Sequence, residues 1–374
     1  MEREQPAIDA TPRPTTVLHT ADEIPAALRR LHHARSGQTL RVYKSDYPAN
    51  APSEDRHTLA IATDSVFAGV WDGHGNGSCA EFVDTHVYAE FARGLEEEAE
   101  PSSAFVRAFA ELDRKFTCEA ESGGKLEQIT CGTCAVGVHV DLTQRGCQVT
   151  CSNLGDSRVV YGGWDSEASL HAVPMSSDHA ATNAKERARL RAAFEDTRVV
   201  QLAGTQEDYP SPRGEEDTSD VAVLGICRFT RSLGDCHMKT VISAAAFNSY
   251  QAKRHTGLEI PIAPLHKASA NGMGYISNVP ENSTTKEPLQ NGFLIVASDG
   301  VWDELSSSEA VRIVARLLHE SKLRESEGEH TNGAHQDQEA GQGFVDVAEL
   351  FVQEVLKRAA FRIAVSDSDA LHHS

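Results

Sequence analysis

Two features that would mark a membrane or exported protein are missing from this sequence of 374 residues. No apolar run approaches the roughly 18 residues that a membrane-spanning helix needs. The first ten residues, MEREQPAIDA, also lack the charged-then-apolar pattern of a secretory signal. We therefore expect a soluble globular protein of the cytoplasm or nucleus with no membrane partner.

Positive charge is scarce, since 35 Lys and Arg residues stand against 55 Asp and Glu residues. The formal net charge is −20. A protein whose main partner is nucleic acid needs a basic surface that neutralises phosphates, so that class is disfavoured. The acidic balance is compatible with cationic ligands, including metal ions.

A cysteine framework for a disulfide or zinc scaffold is also lacking. The eight cysteines are scattered through apolar segments of a long chain, which predicts reduced core residues. Cys131 and Cys134 form one CxxC inside "TCGTCAVGVHV", but no second CxxC or CxxH follows. We therefore disfavour a zinc or redox role for this pair and expect a turn that enters a strand.

Other common motifs fail on their spacing. There is no GxxxxGK[ST] phosphate loop and no G-x-S-x-G nucleophile elbow. "GHGNGS" has Ser78 where a dinucleotide fingerprint needs its third glycine. No cysteine is followed six positions later by an arginine, which disfavours a phosphatase with a cysteine nucleophile.

The pattern along the chain predicts an α+β domain. Residues 1–38 read as an N-terminal extension and 39–374 as one domain, with insertions near 204–220, 264–291 and 322–343. Helices are predicted in "PSSAFVRAFAELDRKF", behind a serine cap, and in "LSSSEAVRIVARLLHE", where Ser306 and Glu309 form a capping box. The strand-like segments are 57–62, 65–71, 133–140, 147–153 and 157–161.

Two apolar runs end on an aspartate followed by a glycine. They are "SVFAGVWDGHGNG", with Asp72–Gly73, and "GFLIVASDGVWDEL", with Asp299–Gly300. For either pair alone, a turn at the end of a strand is the simpler interpretation. Two carboxylates brought together at strand ends would instead repel each other unless a cation lies between them.

More acids of the same kind favour the cation. "PSEDRHTLAI" carries Glu54 and Asp55 just before a strand, and "TCSNLGDSRVVYGG" carries Asp156 in a tight turn. Hard oxygen ligands with few His or Cys residues nearby favour Mg²⁺ or Mn²⁺ over zinc. Glycine after an aspartate lets a backbone carbonyl or a water molecule approach such an ion.

Taken together, the motifs resemble the metal-dependent serine/threonine phosphatases of the protein phosphatase 2C family. The similarity runs over about residues 40–365, and it rests on the order of the motifs. These are "SEDRH", "VWDGHGN", "CGTCAVGV", "SNLGDSRVVYGG", "SSDHAATNAKERARL", "RFTRSLGDCHMK" and "FLIVASDGVWDELSSSEAV". The resemblance implies a β-sandwich of two mostly antiparallel sheets flanked by helical layers, with a metal site in a cleft at one edge.

The resemblance also implies roles by position. Asp72 would bridge two Mn²⁺ or Mg²⁺ ions, and Gly73 would offer its carbonyl. Asp299 and Asp55 would be further ligands, while Glu54 would act through water.

Two more roles complete the implied site. Asp156 matches an acid that the family uses for a third ion, shared with Asp299. His74 matches the proposed general acid that protonates the leaving seryl or threonyl oxygen. A water or hydroxide bridging the two ions would attack the phosphate in line, with no phospho-enzyme.

The sequence departs from the family pattern at two places. The family's phosphate-binding arginine, four residues before the Glu of "ED", is replaced by Asn50, so we predict that Lys44 or Arg41 substitutes, with Arg56 as a further candidate. The family's last metal-binding aspartate precedes a β-branched strand, whereas this sequence ends "FRIAVSDSDALHHS". Asp367 is the first candidate for that ligand and Asp369 the second.

These departures leave alternatives open. The first hypothesis is an enzyme that acts on phosphoprotein substrates, and the second is a catalytically inactive phosphatase-like module that binds partners. A metal phosphohydrolase acting on small molecules is a third. The acidic insertion at 204–220 and the polar insertion at 264–291 are where we would expect specificity, but they contain no recognisable motif.

Overall fold

A computed structural model describes residues 16–18, 31–32, 39–47, 52–122, 126–143, 146–194, 199–202, 221–239, 274–286, 289, 292–331 and 346–372. Its strands in chain order are Thr16–Leu18 (β1), Leu31–His32 (β2), Thr39–Leu40 (β3), Arg56–Ile61 (β4), Ser65–His74 (β5), Gly132–Asp141 (β6), Gln148–Leu154 (β7), Arg158–Trp164 (β8), Leu170–Pro174 (β9), Val200–Leu202 (β10), Val221–Val223 (β11), Leu233–Gly234 (β12), Glu281–Thr284 (β13) and Gly292–Ala297 (β14). The helices are Ser78–Glu98 (α1), Pro101–Ser122 (α2), Leu126–Ile129 (α3), Ala184–Phe194 (α4), Cys236–Lys239 (α5), Asp299–Trp302 (α6), Ser307–Thr331 (α7) and Val347–His372 (α8).

Two antiparallel sheets form the centre of the molecule. The first has the order β1-β4-β5-β6-β7-β13, with β12 also paired to β6, and the second has the order β14-β8-β9. Strand β6 (GTCAVGVHVD) is buried over nine successive residues because both of its faces are covered. The chain passes from the first sheet to the second between β7 and β8, so that short link joins the two layers.

Three apolar clusters bind the layers together. Helices α1 and α2 pack on the outer face of the first sheet around Phe67, Trp71, Phe91 and Phe105. Valines such as Val136 and Val159 fill the space between the sheets. Helices α7 and α8 cover the second sheet. The layers therefore run helix, sheet, sheet, helix, which confirms the predicted α+β sandwich.

The local predictions can be compared with these elements. The five predicted strands correspond to β4–β8, and Ser306 and Glu309 do form the capping box, with the Ser306 hydroxyl 2.7 Å from Glu309 Oε2. The other helix begins at Pro101, before the serines expected to cap it. Part of the segment predicted as an insertion at 264–291 forms β13 at the edge of the first sheet.

The two Asp–Gly pairs are not turns. Asp72 and Gly73 lie inside β5, which continues to His74. Asp299 and Gly300 begin the short helix α6. The simple interpretation of a turn at each strand end is therefore wrong.

Among the described residues, no helix combines the length and hydropathy needed to cross a bilayer.

Candidate metal centre

The first pair of acids comes from the first sheet. Strands β4 and β5 are antiparallel and pair Arg56 with Trp71. One step further along this register, Asp55 falls opposite Asp72. The two carboxyl groups are within hydrogen-bonding reach of each other.

The second pair comes from the second sheet by the same geometry. Strands β8 and β14 pair Arg158 with Ala297. Two steps beyond that pair, Asp156 falls opposite Asp299. Each sheet therefore delivers two aspartates at the end of one antiparallel strand pair.

The link between β7 and β8 brings the two pairs together. It contains Asp156 and crosses from the first sheet to the second, so both pairs lie at one edge of the sandwich. Carboxylate oxygens of Asp72, Asp156 and Asp299 all lie within 4.8 Å of one another. The Ser298 hydroxyl donates to Asp55 Oδ2 at 3.2 Å and joins the pairs a second time.

Electrostatics show that these carboxylates need a counter-charge. Burial, together with the charges of Asp299 and Asp55, holds the pKa of Asp72 far above its usual range. Burial and the Asp299 charge raise the pKa of Asp156 to about 6. Burial also raises the pKa of Asp299. Among the described residues no Lys or Arg side chain forms an ion pair with any of these three, so the cluster suits a hard divalent cation.

The glycines of the two Asp–Gly pairs have different surroundings. A Cβ on Gly73 would overlap the backbone carbonyl oxygen of Glu54, so only glycine lets these two strands approach so closely. A Cβ on Gly300 would meet nothing nearer than the Ser298 hydroxyl at 3.8 Å. Close approach of the backbone therefore accounts for Gly73 and does not account for Gly300.

His74 follows this site at the end of β5. Its Nε2 lies 2.8 Å from Oδ2 of Asp235, and its ring packs on Phe229 with the ring centroids 4.3 Å apart. Burial lowers the pKa of His74, but the Asp235 carboxylate outweighs this and raises it overall. The charges of Asp156 and Glu54 also raise the pKa of His74.

The other predicted site residues are less closely tied to the cluster. Lys44 is half-buried, and the nearest charges that act on it are Asp46 and Asp84. Arg41 lies in the same segment, and burial lowers the pKa of Lys44. The substrate-binding role of Lys44 or Arg41 stays a prediction.

Three residues singled out in the sequence are Asn50, Asp367 and Asp369. Asn50, and with it the exchange of the family's arginine, lies outside the described residues. Asp367 and Asp369 fall in the last turns of α8 rather than beside a strand. Their role as metal ligands stays a prediction.

Sequence reasoning missed three residues that contact or support the site. Cys134 lies opposite Asp72 on β6, and its thiol is within hydrogen-bonding reach of the Asp156 carboxylate. His179 accepts a hydrogen bond from the Gly155 N–H at 3.2 Å and so holds the turn that carries Asp156. The sequence marked these residues only through the motifs "CGTC" and "SSDH". Neither motif predicts which residues its side chains contact.

The third missed residue is Asp235, in "RFTRSLGDCHMK". Its carboxylate is only 2% exposed and binds His74 directly. Nothing in the spacing of "RFTRSLGDCHMK" relative to "VWDGHGN" predicts this contact, because the two motifs are far apart in the chain.

Comparisons with known proteins agree on one family. The family model for protein phosphatase 2C matches residues 49–348. A protein phosphatase 2C homolog of Schizosaccharomyces pombe is 27% identical over 309 residues, covering 73% of this chain and 62% of that protein. Probable protein phosphatase 2C 43 of Oryza sativa subsp. japonica is 26% identical over 290 residues, covering 74% and 67%.

A solved structure shares the fold. The crystal structure of serine-threonine phosphatase 2C from Toxoplasma gondii superposes with a TM-score of 0.54 at 16% identity, covering 94% of this chain and 95% of that one. The matches to the yeast and rice relatives, by contrast, leave about a third of each relative's length uncovered.

Proposed function

This chain belongs to the protein phosphatase 2C family, and from that premise we propose that it hydrolyses phosphoserine and phosphothreonine in proteins with the help of Mn²⁺ or Mg²⁺. The observation that carries the proposal is the cluster of Asp72, Asp156 and Asp299, whose carboxylate oxygens lie within 4.8 Å of one another. The three acids are partly buried, and no Lys or Arg among the described residues forms an ion pair with them. Burial and the charges of Asp299, Asp55 and Asp156 raise the pKa of Asp72, and a divalent cation would offset these effects.

The acids have the composition that hard divalent ions prefer. Asp72, between Asp55 and Asp299, would bridge two ions, with the Gly73 carbonyl and Glu54 through water as further ligands. Asp156 and Asp299 would hold a third. Such ions, when bound, lower the pKa of a water molecule and neutralise the phosphate. The carboxylates of this chain would hold those ions where the substrate phosphate binds.

His74 would complete the reaction on the leaving side. When water attacks phosphorus, the bond from phosphorus to the seryl or threonyl oxygen breaks and its electron pair goes to that oxygen. A proton from the His74 ring neutralises the oxygen as it leaves. The products are inorganic phosphate and the free hydroxyl side chain, and no covalent enzyme intermediate forms.

The test is hydrolysis by the purified protein of a phosphothreonine peptide and of 4-nitrophenyl phosphate, with Mn²⁺ and with a chelator. We expect turnover that requires the metal, and heat of Mn²⁺ binding in calorimetry. Binding of Mn²⁺ without turnover on any substrate would favour the inactive binding module. Turnover of nucleotides and sugar phosphates in preference to phosphopeptides would favour a small-molecule phosphohydrolase.

A further inference from the structure

The contact between His74 and Asp235 joins the end of β5 to a short loop before α5. Nε2 of the histidine lies 2.8 Å from Oδ2 of the aspartate. Because a carboxylate at this distance accepts the hydrogen bond, Nε2 carries the hydrogen that is shared with Asp235. Nδ1 is then the ring nitrogen left to reach a substrate.

Asp235 is held more firmly than a surface acid would be. It is 2% exposed, and the Ser232 hydroxyl donates to the same Oδ2 at 2.5 Å. Its backbone N–H bonds to the Cys131 carbonyl at 2.8 Å. The backbone φ of 46° is in the left-handed region, which Asp and Asn tolerate better than most residues. These contacts therefore fix the orientation of the Asp235 carboxylate.

The surroundings leave room for this contact. A Cβ on Gly132 would overlap both Asp235 Oδ2 and His74 Nε2, so the pair needs a glycine beneath it. The buried cation at the end of α5, Lys239, pairs with Asp113 at 2.7 Å instead. The Asp235 charge is thus directed at His74 although a lysine lies four residues away.

We propose that Asp235 is a positioning residue: it holds the His74 ring, with Phe229 against its face, so that Nδ1 meets the leaving oxygen of the substrate. The proposal rests on the proposed phosphatase function. A ring held in one orientation transfers its proton without first having to be oriented. Loss of the contact between Asp235 and His74 should therefore lower the rate most for leaving groups that need to be protonated.

The experiment compares two leaving groups in variants that tolerate the positive φ. Asp235→Gly removes the acceptor, and Asp235→Asn keeps an uncharged one. On a phosphothreonine peptide we expect Asp235→Gly to lower kcat roughly ten- to a hundredfold with KM little changed, and Asp235→Asn to lie between it and wild type. On 4-nitrophenyl phosphate, whose leaving group needs little protonation, the loss should be within about threefold.

A double-mutant cycle separates positioning from support of the fold. If Asp235 acts through His74, Asp235→Gly should cause no further loss on the phosphopeptide when His74→Gln is already present. The matched control is Asp113→Asn, which removes the charge paired with Lys239 but keeps an oxygen that can accept from the Gly234 N–H. It should lower the melting temperature but keep the wild-type ratio of the two substrates. Equal losses on both substrates, or additive losses with His74→Gln, would overturn the proposal.

A second measurement is independent of activity. In the Mg²⁺-loaded protein, proton NMR should show a ring N–H of His74 that exchanges slowly with water, and the signal should vanish in His74→Gln and Asp235→Gly. Its absence in wild type would overturn the inference even if the enzyme is active. A lack of wild-type turnover would instead overturn the proposed function, and with it any catalytic role of the contact between His74 and Asp235.

Discussion

Asp72–Gly73 and Asp299–Gly300 are the same dipeptide in two different local structures. The first lies within a strand, and its glycine lies against the backbone of the neighbouring segment. The second begins a helix, and its glycine faces open space. The aspartates nevertheless meet in one cluster.

The difference shows that the two aspartates have the same structural role, whereas the two glycines do not. Each aspartate is placed by the register of an antiparallel strand pair, one pair in each sheet. Gly73 is needed because the Glu54 carbonyl approaches it. Gly300 has no such neighbour. The Asp–Gly motif therefore occurs twice in the sequence, but its glycine has a structural role only at Gly73. Four predictions test this comparison.

The largest effect should come from removing one acid of each sheet. Loss of a residue that hydrogen-bonds to a metal ligand typically lowers activity roughly 10- to 100-fold. Asp72→Asn and Asp299→Asn, which change proposed ligands themselves, should each lower metal-dependent turnover by more than that. The two variants should also weaken Mn²⁺ binding in calorimetry. If Asp299→Asn keeps wild-type turnover, the second sheet does not contribute to the site.

The same variants make a prediction of opposite sign for stability. With a chelator present, Asp72→Asn should raise the melting temperature because it removes a carboxylate crowded by others. With Mn²⁺ present, it should lose the rise that ligand binding gives to wild type. Scanning calorimetry in both buffers measures this. A lower melting temperature in the chelator would contradict mutual repulsion at the site.

The next effect compares one substitution at the two glycines. Gly73→Ala should destabilise the protein by about 1–3 kcal/mol, because its methyl group overlaps the Glu54 carbonyl. It should also reduce turnover by displacing Asp72. Gly300→Ala should be neutral or stabilising by up to about 1 kcal/mol, since alanine favours a helix more than glycine does. Chemical unfolding of both variants and wild type measures the difference, and equal destabilisation would refute it.

The smallest effect concerns the support of the second pair. His179→Leu removes the acceptor of the Gly155 N–H and should weaken Mn²⁺ affinity about tenfold by loosening the turn of Asp156. The control is His139→Leu on β6, where the buried Nδ1 has no hydrogen-bond partner within the described residues. That variant should keep wild-type affinity. If both variants bind Mn²⁺ as wild type does, His179 does not position Asp156.

Much of the fold follows from the sequence because its signals are local. Apolar runs such as "GTCAVGVHV" predict strands, and the Ser306–Glu309 capping box predicts the start of α7. Strand β13 was missed because "ENST" is polar and pairs with β7 only at the sheet edge. The turn interpretation of the Asp–Gly pairs failed because Gly73 depends on a neighbouring strand rather than on its own segment.

The site shows the same limit. Asp72, Asp156 and Asp299 could be named from their strand ends and the family pattern, and the structure brings them together. The partner of His74 could not be named, because Asp235 reaches it through the pairing of β12 with β6. Contacts of this kind depend on register between distant segments, which a single sequence does not reveal.

The short crossing from β7 to β8 has a consequence for the order in which the protein is made. Asp55 and Asp72 belong to one hairpin, so their pairing can form soon after both have left the ribosome. Asp156 gains Asp299 only when β14 has been synthesised and has paired with β8. The polar segments near 204–220 and 264–291 lie within that interval.

Chain length in this interval can change with little penalty for the completed site. Each doubling of a flexible connection costs only about 0.6 kcal/mol in loop closure. The pairing of β8 with β14 alone therefore sets no fixed length for the chain between Asp156 and Asp299. The metal centre is completed late in synthesis, after Asp235 and β13.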